Sequence, residues 1–186
     1  MLEDVRLFAG IAIPGPAHEH LSRALSMVSP PRRTGRNPWG PSANWHITLA
    51  FYGEQPDALA EAIAGNLRSA AAVTPPFDIS LAGAGVFRHD VCWIGVHDPG
   101  DALGPLADLV RGEYATAHQH TQNRFHITVS RSGRRAGLED TMAALAVYRG
   151  PAWTVDAITL FRSDLGEGVG GHPLYTPLAT ARLGGA

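Results

Sequence analysis

The stretch NWHITLAFYG at residues 44–53 decides the fold, together with a shorter relative of itself, RFHITVSR, at residues 124–131. Both alternate apolar and polar side chains with a period of two, which predicts β-strands. The face predicted to be buried consists of Trp45, Ile47, Leu49, Phe51, Phe125, Ile127 and Val129. The opposite face carries His46, Thr48, Ala50, Tyr52, His126, Thr128 and Ser130. Facing each other across a cleft, two such strands would bring two imidazoles and two threonine hydroxyls to one small anion.

Outward from these two strands, apolar periodicity predicts a mixture of strands and helices. The further predicted strands are 5–13, 77–81 (which Gly83-Ala84-Gly85 breaks and Val86-Phe87 resumes), 91–96, 153–161 and 174–181. The predicted helices are 16–27, 57–72 (capped by Asp57), 101–117 (capped by Asp101, with Leu103, Leu106, Leu109 and Val110 inward) and 138–148. This order contains a weak repeat of helix, H-x-T strand and helix. It favours an α+β fold of two pseudo-symmetric lobes around a central cleft, each a small antiparallel sheet with outer helices.

Composition limits the classes of protein that the chain can belong to. With 186 residues and 45% hydrophobic content, it suits one domain, residues 1–186, of two intertwined lobes that share a core. The net charge of −2 means that only a local basic patch could attract nucleic acid. One cysteine, Cys92, excludes an internal disulfide and fits a reducing compartment. The first residues resemble neither a signal peptide nor a membrane span. We therefore predict a cytoplasmic, monomeric protein with no membrane contact.

The paired H-x-T strands resemble the signature of the two-histidine (2H) phosphoesterases. The rest of the chain resembles their branch of bacterial and archaeal RNA 2′,3′-cyclic phosphodiesterases, also called 2′-5′ RNA ligase-like proteins. The matching stretches, in order, are RLFAGIAIP, WHITLAFYGE, FDISLAGAGVF with VCWIGV, FHITVSR and ITLFRSDLGEGVGGHPLYTPL. The resemblance covers nearly the whole chain and implies the two-lobed fold. The chain departs from the pattern at Ala50, Tyr52, Phe125 and Val129, where Lys, Leu, Pro and Leu are common.

Hydrolysis of a 2′,3′-cyclic phosphate needs a base that deprotonates water and an acid that protonates the leaving oxygen. Histidine suits both roles, because its ordinary pKa lies near 6.5. One imidazole must be neutral and the other protonated, which predicts a bell-shaped pH–rate profile. The hydroxyls of Thr48 and Thr128 would bond the non-bridging oxygens, so neither metal nor cofactor is required. The resemblance implies that His126 activates water and that His46 protonates the 3′ oxygen, giving a 2′-phosphate.

Several further residues are candidates for the site. Strand alternation places Arg131 on the face opposite to His126, but the matching Arg of the family implies that Arg131 reaches the phosphate. Ser130 lies on the same face as His126 and could bind the phosphate instead. Tyr52 is a candidate contact at the cleft rim. Phe87 is a candidate base-stacking residue or a core residue. Three arginines on the loop before the first H-x-T strand are candidate contacts to RNA phosphates or parts of a solvated loop: Arg32, Arg33 and Arg36.

The remaining histidines do not predict a metal site. His18-Glu19-His20 and His118-Gln119-His120 are i, i+2 pairs, which do not share a helix face, and no cluster at ligand spacing joins them. We interpret these histidines, and His172, as surface residues. The leading functional hypothesis is a metal-independent phosphodiesterase acting on RNA or nucleotide 2′,3′-cyclic phosphate ends. The alternatives are 2′-5′ RNA joining, hydrolysis of another small cyclic nucleotide, and a non-catalytic module that binds RNA ends.

Overall fold

The computed structural model describes residues 4–28, 38–87, 90–115, 124–131 and 138–184. Within these ranges the strands are β1 (Asp4–Ala12), β2 (His46–Pro56), β3 (Phe77–Val86), β4 (Cys92–His97), β5 (His126–Ser130), β6 (Arg149–Val155), β7 (Ala157–Asp164) and β8 (Leu174–Arg182). The α-helices are α1 (Gly15–Val28), α2 (Ala60–Val73), α3 (Leu103–Arg111) and α4 (Glu139–Ala144). Short 3-10 turns occupy Ser42–Asn44, Asp57–Leu59, Leu145–Val147 and Val169–Gly171.

The strands form two four-stranded antiparallel sheets, with strand orders β2-β1-β7-β8 and β5-β4-β3-β6. The two H-x-T strands, β2 and β5, are each the edge strand of their own sheet, and they contact each other. Each sheet therefore presents its histidine at the junction with the other. The predicted α+β fold of two similar lobes is confirmed.

The helices bind the two lobes together. Helix α2 packs on β7 and β8, and α3 packs on α2 and β2, so both cover the first sheet. Helix α1 contacts β6, and α4 contacts β3, in the second sheet. The chain thus leaves the first sheet after β1 to cover the second with α1, and leaves the second after β4 to cover the first with α3. The buried helical positions recur every three or four residues, which gives each helix one apolar face: Ala17, Leu21, Leu25, Leu103, Leu106 and Val110.

The prediction of one strand at residues 153–161 is wrong. The chain breaks at Asp156 into β6, which pairs with β3, and β7, which pairs with β1 and β8 in the other sheet. The carboxylate of Asp156 accepts from Arg182 at 2.6 Å, and its carbonyl accepts from the Leu183 N–H at 2.8 Å. Apolar alternation simply continues through the crossover, and therefore could not reveal it.

The predicted boundaries of α3 are also wrong. Asp101 does not cap the helix; it adopts a left-handed conformation with φ 50°. The N–H of Leu103 instead bonds to the Asp98 carboxylate at 2.7 Å. The helix ends at Arg111 rather than at residue 117, because Gly112 takes φ 49° and leaves the helical conformation. Leu109, predicted to point inward, is 46% exposed.

Three smaller boundary predictions also differ from the structure. Strand β3 continues through Gly83, because a register shift between Leu81 and Ala84 absorbs that glycine at φ 68°. Asp57 opens a 3-10 turn and makes no side-chain cap for α2. Helix α4 ends at Ala144, and the residues that follow form a 3-10 turn.

A bulge in β2 reverses the predicted alternation of side chains. Ala9 of β1 pairs with Ala50, but the next residue, Gly10, pairs with Thr48, so Leu49 has no partner in the ladder. An extra residue of this kind turns the side chains that follow it to the opposite face. His46 and Thr48, which precede the bulge, keep the predicted orientation.

Tyr52, which follows the bulge, is a core residue and not a contact at the cleft rim. Its side chain is 0% exposed, and its hydroxyl donates to the Val110 carbonyl at 2.9 Å. Burial raises the pKa of the Tyr52 hydroxyl. Phe51, predicted to be buried, is half-buried, with the Arg6 guanidinium 4.6 Å from its ring centre. The predictions for both residues fail because strand parity does not survive the bulge.

Candidate active site

The two H-x-T histidines are held by the same backbone contact. Nδ1 of His46 lies 2.8 Å from the carbonyl oxygen of Asn44, and Nδ1 of His126 lies 2.8 Å from that of Arg124. A carbonyl only accepts hydrogen bonds, so Nδ1 carries the proton in both rings. Nε2 is therefore the nitrogen that gains or loses a proton, which is the requirement for an acid or a base.

Both histidines line one small cavity where β2 meets β5. Its volume is about 80 Å³, a few times the roughly 30 Å³ that one water occupies in the liquid. This is room for a phosphate group but not for a nucleoside. Backbone of the 40–41 loop closes one side. The polar and aromatic side chains that line it include His46, Thr48, His126, Thr128, Ser130, Arg131, His172 and Tyr175.

An aromatic shell from three strands surrounds His46. The ring of Phe8 lies 4.6 Å from the imidazole between centres, Tyr175 meets it edge-on at 5.1 Å, and Phe161 lies at 6.3 Å. Phe8 also stacks on Phe161 at 5.0 Å. These contacts fix the plane of the imidazole ring. Sequence reasoning missed all three aromatic residues, because they lie far apart in the chain and meet only when β1, β7 and β8 pair.

The surroundings of His126 are different. Phe87 meets its imidazole edge-on at 5.0 Å and stacks on Trp93 at 5.4 Å. The guanidinium of Arg124 lies 4.7 Å from the Trp93 ring centre. The candidate residue Phe87 therefore contacts His126 directly, and the two histidines are not equivalent despite the pseudo-symmetry of the lobes.

Burial and nearby positive charge disfavour protonation of both imidazoles. The pKa of His46 is lowered to about 4, chiefly by burial; the hydrogen bond to Asn44 opposes this shift, and the charges of Arg131 and His126 add to it. Burial likewise lowers the pKa of His126, again with Arg131 and then Arg124 acting in the same direction. Both shifts favour the neutral rings when the cavity holds no anion. A bound phosphate would raise both pKa values by offsetting the positive charge.

Comparison with known proteins agrees with this geometry. A model of the 2′-5′ RNA ligase superfamily matches residues 14–167. The chain belongs to this superfamily. A protein of Escherichia coli named RNA 2′,3′-cyclic phosphodiesterase is 31% identical, with 96% of each chain covered. A protein of the same name from Methanothermobacter thermautotrophicus is 25% identical over 96% of this chain and 99% of its own.

Solved structures of other proteins share the fold. The crystal structure of E. coli LigT complexed with NADP+ superposes with a TM-score of 0.71 at 28% identity, covering 98% of this chain and 99% of LigT. The crystal structure of a Thermus thermophilus protein gives a TM-score of 0.74 at 26% identity, covering 97% of this chain and 98% of its own. The resemblance inferred from the paired H-x-T strands is confirmed.

The structure places the other candidate residues of this superfamily member as follows. Arg131 follows the last residue of β5, is exposed, and lines the cavity. Ser130 is 2% exposed, and its hydroxyl donates to the Pro38 carbonyl at 2.8 Å. This hydrogen bond ties β5 to the loop before β2 and uses the hydroxyl proton. His172, interpreted as a surface residue, is exposed but lines the cavity. Arg32, Arg33, Arg36, His118 and His120 lie outside the described residues.

His18 and His20, interpreted as surface residues, make packing contacts. His18 lies against Trp45 at 4.9 Å between ring centres, and Nδ1 of His20 is 2.9 Å from the Tyr148 hydroxyl. In the part of the chain that the structure describes, no three His, Cys, Asp or Glu side chains are grouped so that they could hold a metal ion. No helix within those ranges is long and apolar enough to cross a membrane.

Proposed function

We propose that this protein hydrolyses the 2′,3′-cyclic phosphate ends of RNA or nucleotides to 2′-phosphomonoesters, without a metal. His46 is the proton donor and His126 the proton acceptor. One observation carries the proposal: two histidines, each held through Nδ1, share a phosphate-sized cavity with two threonines and an arginine. The relatives named RNA 2′,3′-cyclic phosphodiesterase support the substrate class.

The reaction is an in-line displacement at phosphorus. Neutral Nε2 of His126 takes a proton from water as the water oxygen bonds to phosphorus. The bond between phosphorus and the 3′ oxygen breaks, and that oxygen takes the Nε2 proton of His46. The bond to the 2′ oxygen stays, so the product is a 2′-phosphate. His126 then holds the proton from water, and His46 has given its own to the 3′ oxygen; proton exchange with solvent restores the pair.

Charge on the phosphoryl oxygens grows as the water attacks. No register shift separates Thr48 from His46 or Thr128 from His126, so each threonine lies on the same strand face as its histidine. Both threonines line the cavity, and their hydroxyls can donate to the two non-bridging oxygens. Arg131 also lines the cavity and supplies a full positive charge. These groups take the place that a metal ion occupies in other phosphodiesterases.

The protonation state needed for this reaction arises when substrate binds. The positive charge of protonated His126 lowers the pKa of His46, so the pair disfavours two protons. The negative charge of the bound substrate favours at least one proton on the pair. The complex with a single proton is then the reactive form. In the free site His126 takes that proton more readily than His46, so the proposed roles require the bound substrate to place it on His46.

The test is turnover of the four nucleoside 2′,3′-cyclic monophosphates in EDTA, for the wild type, His46→Ala and His126→Ala. Each substitution should lower kcat by about 10²–10⁴-fold, and the product should be the 2′-phosphate. His18→Ala, which removes a histidine outside the cavity, is the control and should retain activity. Loss of activity in EDTA would contradict the metal-independent mechanism. Binding without turnover, unchanged in His46→Ala, would indicate a module that binds RNA ends.

The roles of the two histidines need a separate test. A phosphodiester with a p-nitrophenyl leaving group needs no acid, because p-nitrophenolate is a weak base. On this substrate His46→Ala should recover most of its lost activity, whereas His126→Ala should not. The opposite pattern, or a 3′-phosphate product from the cyclic substrate, would reverse the assignment. The cytoplasmic location and the monomeric state remain predictions.

A further inference from the structure

The cavity at the histidines is too small for a nucleoside, so the base of the substrate must bind elsewhere. A groove of about 660 Å³ lies over β3 and β4 of the second sheet. This volume is in the range of pockets that hold nucleotide-sized ligands. We call it the Trp93 groove; its walls include Gly83, Trp93, Gly95, Asp98, Arg124 and Phe125.

The Trp93 groove is next to the cavity. Gly95 of β4 pairs with His126 of β5, and Trp93 pairs with Thr128. Directly paired residues on antiparallel strands have their side chains on the same face, about 5 Å apart. A nucleoside whose phosphate lies at His126 and Thr128 therefore reaches the groove if it extends from β5 across the width of one strand to β4.

Two glycines leave room for the indole of Trp93. A Cβ atom on Gly85 would lie 2.5 Å from the Trp93 ring, and one on Gly95 would lie 3.3 Å from the ring and 2.7 Å from the Ala82 carbonyl. The absence of side chains there allows the indole to lie close against the sheet. The space above it is occupied by the Arg124 guanidinium, which lies over the ring and is exposed to solvent.

The wall of the groove also contains polar atoms without partners. Among the described residues, the buried atoms Nε1 of Trp93 and Oδ1 of Asp98 have no hydrogen-bond partner. Buried polar atoms are almost always paired in folded proteins. Trp93 and Asp98 both line the groove, and these two atoms are hydrogen-bonding capacity that the described residues do not use.

We propose that Arg124, supported by Trp93, is the stacking platform for the base of the nucleotide that carries the cyclic phosphate. This inference rests on the proposed function. Single-stranded bases commonly stack on arginine guanidinium planes as well as on aromatic rings. Arg124 is a specificity-determining residue in this arrangement, because it contacts the base and not the reacting phosphate.

The experiment compares adenosine 2′,3′-cyclic monophosphate with its abasic analogue, a ribose ring that carries the same cyclic phosphate but no base. Wild-type kcat/KM should be at least about tenfold higher with the base, the gain expected from one stacked base. Arg124→Lys keeps the positive charge near His126 but loses the planar guanidinium. It should lose most of the advantage on the adenosine substrate and stay within about twofold of wild type on the abasic one.

Arg6→Lys is the matched control, because Arg6 makes the same type of contact, 4.6 Å above Phe51, with no place in the groove wall. It should leave both rates unchanged. Equal wild-type rates on the two substrates would overturn the base site. A full base advantage retained in Arg124→Lys would show that charge alone matters, which would also overturn the stacking role. Absence of turnover on either substrate would instead contradict the proposed function.

Discussion

At the scale of single residues, the orientation of each imidazole is a property of its strand. His46 and His126 both donate Nδ1–H to the carbonyl two residues upstream, so the first residue of each strand is fixed by the backbone before it. The electrostatic surroundings are shared, because Arg131 acts on both rings. The acid–base behaviour of the pair should therefore respond to one arginine.

The pH dependence of kcat/KM tests this coupling. That quantity reports the free enzyme, in which both histidine pKa values are lowered, so its maximum should lie below about pH 6.5, the ordinary pKa of histidine. A positive charge lowers an imidazole pKa, so removing it in Arg131→Gln should move the maximum to higher pH. Arg131→Lys keeps the charge and should keep the maximum. An unchanged pH maximum in Arg131→Gln would show that Arg131 does not act on the pair.

The core position of Tyr52 gives a second prediction at this scale. Tyr52→Phe removes one buried hydrogen bond to the Val110 carbonyl, which still accepts from Asn66 at 2.8 Å. The free energy of unfolding should fall by about 0.5–1.5 kcal/mol, measured by urea denaturation. Because Tyr52 lies in the core, kcat/KM should stay unchanged. A marked rise in KM with unchanged stability would restore Tyr52 as a substrate contact.

At the scale of elements, the pairing of β1 with β2 holds the first histidine in place. Gly10 pairs with Thr48, next to the bulge, and a Cβ there would lie 2.8 Å from the Ile47 carbonyl and 3.5 Å from Cδ2 of His46. The strands can approach this closely because residue 10 has no side chain. The position of His46 thus depends on a glycine in a neighbouring strand.

Gly10→Ala tests this dependence. The new methyl group must push β2 away from β1, which should lower the free energy of unfolding by about 1–3 kcal/mol and lower kcat through displacement of His46. Gly15→Ala is the control, since a Cβ at that position meets no atom within 4 Å. It should leave both quantities close to wild type. Wild-type stability in Gly10→Ala would mean that the strands adjust without strain.

The elements also show what the sequence could and could not predict. The H-x-T strands and the helices were predictable, because their apolar periodicity is local. The bulge at Leu49 was not, since a bulge is defined by the register of β1 against β2. The crossover at Asp156 was hidden for the same reason, and so was the aromatic shell of His46, which three strands assemble. The family resemblance supplied the pairing of the lobes that periodicity only suggested.

At the scale of the whole molecule, each lobe supplies one of the two helices that cover the other lobe. Helix α1 follows β1 of the first sheet and contacts β6 of the second, while α3 follows β4 of the second and contacts β2 of the first. Neither sheet can lose its covering helix without disturbing the connection to the other. The cavity, which takes one histidine from each sheet, should therefore form and disappear with the fold as a whole. We infer that the lobes are one cooperative unit.

Leu21→Ala measures this cooperativity. Leu21 is 0% exposed on α1, so its truncation should lower the free energy of unfolding by about 2–5 kcal/mol. If the lobes unfold together, the most protected amides of β1 and β2 should lose the same free energy of opening as those of β3 and β4 in native-state hydrogen exchange. Leu109→Ala, at a leucine 46% exposed on α3, should change stability by about 0.5 kcal/mol or less. Loss of protection confined to the second sheet would show instead that each lobe unfolds by itself, and the cavity could then open without unfolding of the first.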